Sequence, residues 1–144
     1  MRKAAFTIIC FVLLLSSCSK ESIFSYYLEG NWTISQLKVT ETTATISSSY
    51  TLLNAGTYSF NENNEGSLTT SADTSKKTLL FKWSAESNKK VLLTFENQSF
   101  ESWKVVSDQP KTQTWECTIT ETISSGGIVV KHTVYRKMYL KKFD

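Results

Sequence analysis

Glu121 and His132 are the two residues whose types and predicted placement could support acid–base chemistry. A carboxylate beside an imidazole can move protons near neutral pH. His132 is the single histidine of the chain, which excludes a multi-histidine metal site, and it has no local signature such as a nucleophile elbow. A simple ion pair or hydrogen bond between the two is the more common arrangement. We therefore expect a non-enzymatic protein with no catalytic residues, no metal site and no cofactor.

The tryptophans are the second set of residues with a potential role. An eight-stranded barrel can hold one small molecule, and aromatic side chains often line such a cavity. The same side chains could instead fill the interior, because they bury much apolar area. Both interpretations stay open at the level of the sequence. The candidate ligand-binding residues are Trp83, Trp103, Trp115, Glu121 and His132.

β-Strands must position these residues. From Asn31 onward, Thr, Ser, Val, Ile and aromatic residues dominate, and short segments alternate in polarity between turn signals. All connections are of hairpin length, which favours an antiparallel meander. We predict an all-β, up-and-down barrel of about eight strands, with a short helical turn before Gly30. The predicted strand segments are 32–41, 45–53, 56–62, 66–72, 78–84, 90–96, 100–107, 112–123 and 128–142.

The last strands also predict a register. A two-residue turn at Gly126-Gly127 would pair the final two strands, because both glycines accept positive φ. The pairs of this register are Ile123 with Val130, Glu121 with His132, Ile119 with Val134, Cys117 with Arg136, Glu116 with Lys137 and Trp115 with Met138. Arg136 lies deep on the inner face and needs a partner, since an unpaired buried charge is costly. In the preceding hairpin, a loop centred on Gln109 would place Trp103 opposite Trp115.

The N-terminal segment has the pattern of a signal peptide. Arg2 and Lys3 precede an apolar run from Ala4 to Leu15, which is too short for a spanning helix of about 20 residues. The residues Leu15-Ser16-Ser17-Cys18 resemble the lipobox of bacterial lipoproteins, and ordinary signal-peptide cleavage at the same site is the alternative. The resemblance implies a diacylglyceryl group on the Cys18 thiol and an N-acyl chain such as palmitate. Several acyl chains together give essentially permanent anchoring.

This interpretation sets the domain boundaries. Residues 1–17 form a lipoprotein signal peptide, residues 18–24 a lipid anchor and tether, and residues 25–144 one barrel domain. The resemblance implies a location in the cell envelope of a Gram-negative bacterium. Because Ser19 rather than an aspartate follows Cys18, we expect an outer-membrane anchor, on either the periplasmic or the surface face.

Charge and cysteine content exclude other classes. Without Arg2 and Lys3, the 16 basic residues fall to 14 against 13 acidic residues, which is too balanced for a nucleic-acid-binding surface. Of three cysteines, Cys10 is lost with the signal peptide and Cys18 is acylated, so the mature chain would have no internal disulfide. We expect Cys117 to be buried, as free cysteines commonly are.

A Gly-Xaa-Trp motif, Gly30-Asn31-Trp32, follows the predicted helical turn and begins the meander. With Arg136 on the final strand, this order resembles the lipocalin fold, and more closely the small lipocalin-like lipoproteins of Gram-negative bacteria. The further segments that carry the resemblance are Thr57–Asn61, Leu80–Trp83, Ser102–Val105 and Tyr139–Lys142. The resemblance implies barrel closure by Gly30, Trp32 and Arg136, with Trp32 stacked beneath the guanidinium of Arg136.

The resemblance also implies a function. A lipid-anchored protein of this kind would bind a small apolar or amphipathic ligand at the open barrel end, near the loops at 71–77, 85–89 and 124–127. The alternative is a non-enzymatic envelope interaction module with a filled core, which contacts another protein or a glycan through its outer face or loops. The expected partners are the membrane, through Cys18, and a small apolar ligand, but no nucleic acid. We expect a monomer.

Overall fold

A computed structural model describes residues 20–71, 76–125 and 128–143 of the chain. The signal segment 1–17, Cys18 and the Gly126-Gly127 turn lie outside the described residues. One helix and eight strands are described: α1 (Lys20–Leu28), β1 (Gly30–Thr43), β2 (Ile46–Phe60), β3 (Glu65–Thr70), β4 (Lys77–Glu86), β5 (Lys90–Phe95), β6 (Phe100–Gln109), β7 (Thr112–Ser125) and β8 (Ile128–Phe143). Within these ranges, no helix has the length and hydropathy of a membrane span.

The strands form one closed barrel. Each strand pairs antiparallel with its neighbours in chain order, and β1 pairs with β8 to close the sheet. Alternate residues of each strand point inward, and these are the buried aromatic and aliphatic side chains of the core. The predicted all-β, up-and-down barrel with a short N-terminal helix is therefore confirmed.

Two predicted segments, 45–53 and 56–62, form a single strand, β2. The chain does not turn between them, although Asn54 and Gly56 have positive φ values of 50° and 155°. The register with β1 instead shifts between Ile34 and Gln36, which is the mark of a β-bulge. Gly56 is required there because a Cβ atom would collide with the backbone oxygen of Thr69 on β3. Asn54 and Gly56, which are typical turn residues, thus lie within β2 and do not end it.

The predicted register is confirmed for the last hairpin and wrong for the one before it. β7 and β8 pair as predicted, including Trp115 with Met138 and Cys117 with Arg136. In the β6–β7 hairpin, Val105 rather than Trp103 lies opposite Trp115, because the chain turns at Pro110 and Lys111 and a bulge follows Val105. The turn and the bulge together leave the inner face unchanged, so Trp103 is still buried.

Helix α1 covers the floor of the barrel at the end where β1 begins. It starts at Lys20, within the segment predicted to be a tether (18–24), and its nine residues make it longer than the predicted short helical turn. Phe24 and Leu28 lie four residues apart on one face and are buried in the core. The helix is thus an integral part of the barrel domain.

Trp32 joins this helix to the barrel. Its indole Nε1 donates a hydrogen bond of 2.7 Å to the carbonyl oxygen of Leu28, one of the last helical carbonyls, which lack partners within the helix. The Nζ of Lys142 lies 5.4 Å from the centroid of the indole ring. The side chain of Lys142 also fills the space beside Gly30 that a Cβ would need. A tryptophan, a glycine and a lysine therefore close this end.

The expected stacking of Arg136 on Trp32 is wrong. The β1–β8 register places Trp32 opposite Lys142, whereas Arg136 lies opposite Val39, well above the floor. The cationic partner does come from the last strand, as the lipocalin resemblance implied, but from a position closer to its end. Arg136 therefore belongs to the other half of the barrel.

Replacing Trp32 with Phe tests the link between helix and barrel. The variant keeps an aromatic ring but leaves the buried Leu28 carbonyl without its donor, which should lower the free energy of unfolding by about 1–3 kcal/mol. Urea denaturation followed by circular dichroism measures this. Trp83→Phe is the matched control, because the Glu65 carbonyl that its Nε1 contacts also accepts the backbone N–H of Asn61 at 2.9 Å and so keeps a donor. An equal loss of unfolding free energy in both variants would show that the hydrogen bond to Leu28 contributes no more to stability than the one to Glu65.

Candidate functional site

The two ends of the barrel differ because the strand connections alternate between them. Strands β1, β3, β5 and β7 run from the end covered by α1 to the other, open end, and strands β2, β4, β6 and β8 run back toward α1. The loop at 85–89, which joins β4 to β5, was predicted at the open end and is at the closed end. The β5–β6 turn, residues 96–99, takes its place at the open end.

Four strands extend beyond the rim of the open end. Pairing of β2 with β3 stops at Gly56, and pairing of β6 with β7 stops at Glu116. Beyond these residues, β2, β1, β8 and β7 continue as a four-stranded sheet, which we call the projecting sheet (residues 39–53, 117–125 and 128–136). Its inner face continues the inner wall of the barrel and includes Tyr50 and Ile46, both exposed.

Most of the predicted ligand-binding tryptophans fill the barrel. Trp115 is fully buried, with its ring centroid 6.3 Å from that of Trp103 and 6.1 Å from that of Tyr58. Phe60 packs against both Trp115 and Trp83. Trp83 and Trp115 thus belong to the packed core of the lower half of the barrel, where side chains fill the interior.

A cavity remains above the aromatic cluster. It has a volume of about 160 Å³ and lies just below the rim of the open end. Trp103 and Tyr58 contribute to its walls, together with aliphatic side chains from β1, β2, β3 and β8. A larger depression of about 410 Å³ lies on the outer face of β3, β4 and β5, but charged side chains such as Lys82 border it. The interior cavity is the better candidate site because its walls are more apolar and belong to the inner face of the barrel.

One ion pair borders this cavity. The guanidinium Nη1 of Arg136 donates to Oε1 of Glu101 at 3.1 Å, and the indole Nε1 of Trp103 donates to Oε2 of the same carboxylate at 2.9 Å. Glu101 is thus the partner that a deep-lying Arg136 requires. The Arg136 side chain keeps 33% of its surface exposed. Its position at the edge of the cavity lets it reach a molecule held there.

The carboxylate of Glu101 also affects two buried acids nearby. Burial raises the pKa of the Tyr58 hydroxyl far above its usual value, and the charge of Glu101 adds to the shift. Burial, followed by Glu101, likewise raises the pKa of the Cys117 thiol. Cys117 is buried, as predicted. Both groups therefore stay neutral in the folded protein at physiological pH.

Glu121 and His132 do not contribute to this cavity. They face each other across β7 and β8 as predicted, but on the projecting sheet, with Glu121 exposed. No hydrogen bond or ion pair joins them in the described part of the chain. Among the described residues, there is also no group of three or more His, Cys, Asp or Glu side chains that could hold a metal ion.

Sequence reasoning missed Glu101 and Tyr58. Both follow the inward alternation of their strands, Glu101 with Trp103 and Val105, and Tyr58 with Phe60. That alternation was the signal that could have found them. A charged residue at an inward position of β6 would also have suggested a partner for Arg136.

No family model matches the sequence, and no curated protein matches it. Among solved structures, a bovine odorant binding protein, a deswapped triple mutant, aligns over 82% of this chain and 76% of its own chain. The identity is 11% and the TM-score is 0.42. The function of this chain is therefore inferred from its own residues.

The raised pKa of Tyr58 predicts a loss of stability in alkali. In the unfolded chain the phenol ionises near pH 10, whereas the folded protein keeps it neutral. The stability that Tyr58 contributes is therefore fully present below pH 10, and the free energy of unfolding decreases as the pH rises above 10. For this one group, the free energy of unfolding should fall by about 1.4 kcal/mol per pH unit above that point. Urea denaturation between pH 7 and pH 11 measures the fall, which should be less steep in Tyr58→Phe.

Tyr26→Phe is the matched control for this experiment. Tyr26 is 69% exposed, so removal of its hydroxyl should leave the alkaline fall as steep as in the wild type. A Tyr58→Phe variant with the wild-type steepness would contradict the prediction.

Proposed function

We propose that this chain is a lipid-anchored, non-enzymatic protein of the cell envelope that holds a small apolar or amphipathic molecule at the open end of its barrel. The observation that carries the proposal is the cavity of about 160 Å³ above the aromatic cluster. Its walls are apolar side chains, and one charged group, the Arg136–Glu101 pair, lies at its edge. Few polar groups in an apolar pocket are typical of a binding site for such a molecule.

The size of the cavity limits what enters it. A cavity of roughly 150 Å³ accommodates benzene, whereas pockets for whole drug-sized ligands measure about 300–1,000 Å³. The cavity therefore accepts one end of a ligand, such as an aromatic ring or a short branched alkyl group. The remainder lies along the inner face of the projecting sheet, where Tyr50 is exposed and paired with Val39.

Arg136 is the reason that we expect the ligand to be amphipathic. A guanidinium carries five N–H donors, and the ion pair with Glu101 engages one of its nitrogens. The remaining donors can bind an oxygen atom of a ligand whose apolar end occupies the cavity. Because Glu101 already balances the charge, a neutral polar group suits the site as well as an anion.

The anchoring part of the proposal rests on the residues Leu15-Ser16-Ser17-Cys18 and the apolar segment before them. Acyl chains on Cys18 would hold the barrel at the membrane, which we propose to be the outer membrane of a Gram-negative cell. The barrel would act there as a monomer. The mass of the protein extracted from the membrane fraction tests this: it should equal residues 18–144 plus the acyl groups, whereas an unmodified mass would exclude the anchor.

Native mass spectrometry tests ligand binding. The mature chain, residues 18–144 with Cys18→Ser, is isolated from cells under mild conditions and sprayed without denaturation. A discrete additional mass that is lost on unfolding is expected, and its value gives the class of the ligand. A bare mass from every preparation would contradict the carrier function and favour a protein or glycan partner instead.

Filling the cavity should abolish binding without unfolding the barrel. Leu68 lines the cavity and packs against the core, so Leu68→Phe should lower the affinity for a naphthalene-sized fluorescent probe at least tenfold, about 1.4 kcal/mol. Overpacking itself costs about 1–3 kcal/mol of stability, which circular dichroism can monitor.

The matched control makes the same substitution outside the cavity. Leu53 is 70% exposed on β2, and Leu53→Phe should leave the affinity for the probe unchanged. If the two variants bind the probe equally well, the probe does not enter the interior cavity.

A further inference from the structure

Helix α1 exposes apolar side chains on the face that does not touch the barrel. Ile23, Tyr26 and Tyr27 lie at i, i+3 and i+4, so they share one face, and they are 47%, 69% and 38% exposed. Phe143, at the end of β8, is also exposed and borders the same surface depression as the two tyrosines. We call Ile23, Tyr26, Tyr27 and Phe143 the closed-end patch.

The composition of the closed-end patch suits a membrane surface. Tyrosine places an apolar ring and a polar hydroxyl at the two sides of an interface, and it is enriched at the level of lipid headgroups. A contiguous exposed apolar patch marks an interaction surface in a soluble domain. Chemistry alone allows a lipid or a protein partner, and the position of the patch decides between them.

The anchor fixes that position. Ser19 alone separates Cys18 from α1, and two Cα–Cα steps span about 7 Å. The nine residues of α1 add roughly 13 Å at 1.5 Å per residue. A lipid on Cys18 therefore lies within roughly 20 Å of the barrel floor, as these two lengths show.

The opposite end of the barrel cannot reach the same bilayer without a longer tether. β8 has 16 residues, which at about 3.3 Å per residue and a tilt of roughly 40° span about 40 Å along the barrel axis. The exposed apolar side chains of the projecting sheet, Ile46 and Tyr50 among them, are carried at that far end. The short link to Cys18 thus selects the closed end.

We infer that the closed-end patch rests on the bilayer to which Cys18 is anchored, with its tyrosines among the headgroups. The inference rests on the proposed lipid anchor. Because the anchor makes the contact intramolecular, weak contacts suffice to orient the barrel. The open end and its cavity then point away from the membrane, so a ligand enters from the aqueous side rather than from the anchoring bilayer.

The test uses a chemically imposed anchor, so that it does not depend on acylation in the cell. The mature chain, residues 18–144, contains α1 and all eight strands. Its Cys18 thiol is coupled to a maleimide-bearing phospholipid in phosphatidylcholine vesicles, while Cys117 is buried and protected from the reagent. The measurement is the loss of tryptophan emission when the acyl chains near the headgroups carry bromine, which quenches by contact.

Two matched variants report on the two ends. Tyr26→Trp places a reporter in the closed-end patch, and Tyr50→Trp places one on the projecting sheet; the two tyrosines are 69% and 48% exposed. The four native tryptophans are buried and common to both variants. Brominated lipid should quench the added tryptophan of Tyr26→Trp and leave that of Tyr50→Trp unquenched.

A second pair of substitutions separates docking from mere proximity. In the Tyr26→Trp chain, Ile23→Asp puts a carboxylate into the patch and should lower the added quenching at least twofold, whereas Ile46→Asp should not change it. Equal or stronger quenching of Tyr50→Trp, no quenching of Tyr26→Trp, or an insensitivity to Ile23→Asp would each overturn the inference. The proposed lipid anchor is tested separately, by the mass of the protein from the membrane fraction. Absence of acyl groups on Cys18 in that measurement would refute the anchor.

Discussion

The pairing of β1 with β8 is the constraint on which the rest of this structure depends. It closes the sheet, so that every inward side chain faces a limited interior volume. Its register also decides which residue of β8 meets each residue of β1. Trp32 meets Lys142 at the floor, and Val39 meets Arg136 near the rim. The hydrogen bonds between β1 and β8 thus place Lys142 at the closed end and Arg136 near the open end.

Closure also explains why the barrel is filled in one half and hollow in the other. At the closed end, Trp115, Tyr58 and Phe60 meet across the interior, and α1 adds Phe24 and Leu28 from below. Toward the rim, smaller aliphatic side chains such as Leu37, Leu52 and Leu68 line the interior, and a cavity remains. The side-chain volumes along each strand, rather than the barrel itself, set the height at which the core ends.

Much of the fold could be predicted from the sequence, because alternation and short connections are local signals. The β7–β8 register followed from a single turn and the face of each residue, and the ion pair between Glu116 and Lys137, 2.8 Å long, confirms it. The error in the β6–β7 register arose from the position of the turn, at Pro110 and Lys111 instead of Gln109, and from the β-bulge after Val105. A bulge is chosen by the twist and closure of the whole sheet, which short-range patterns do not contain.

The site was less predictable, since it depends on pairs that are distant in the chain. Arg136 was recognised as a charge in need of a partner, yet Glu101 lies on a strand that does not pair with β8. Both strands pair with β7, and the two side chains meet over the inner face of that strand, beside Cys117. The register between β1 and β8 separates Arg136 from Trp32 and leaves it beside the cavity. Arg136, which the resemblance placed at the floor, thus lies at the edge of the cavity, where the amphipathic ligand that we propose would need a polar group.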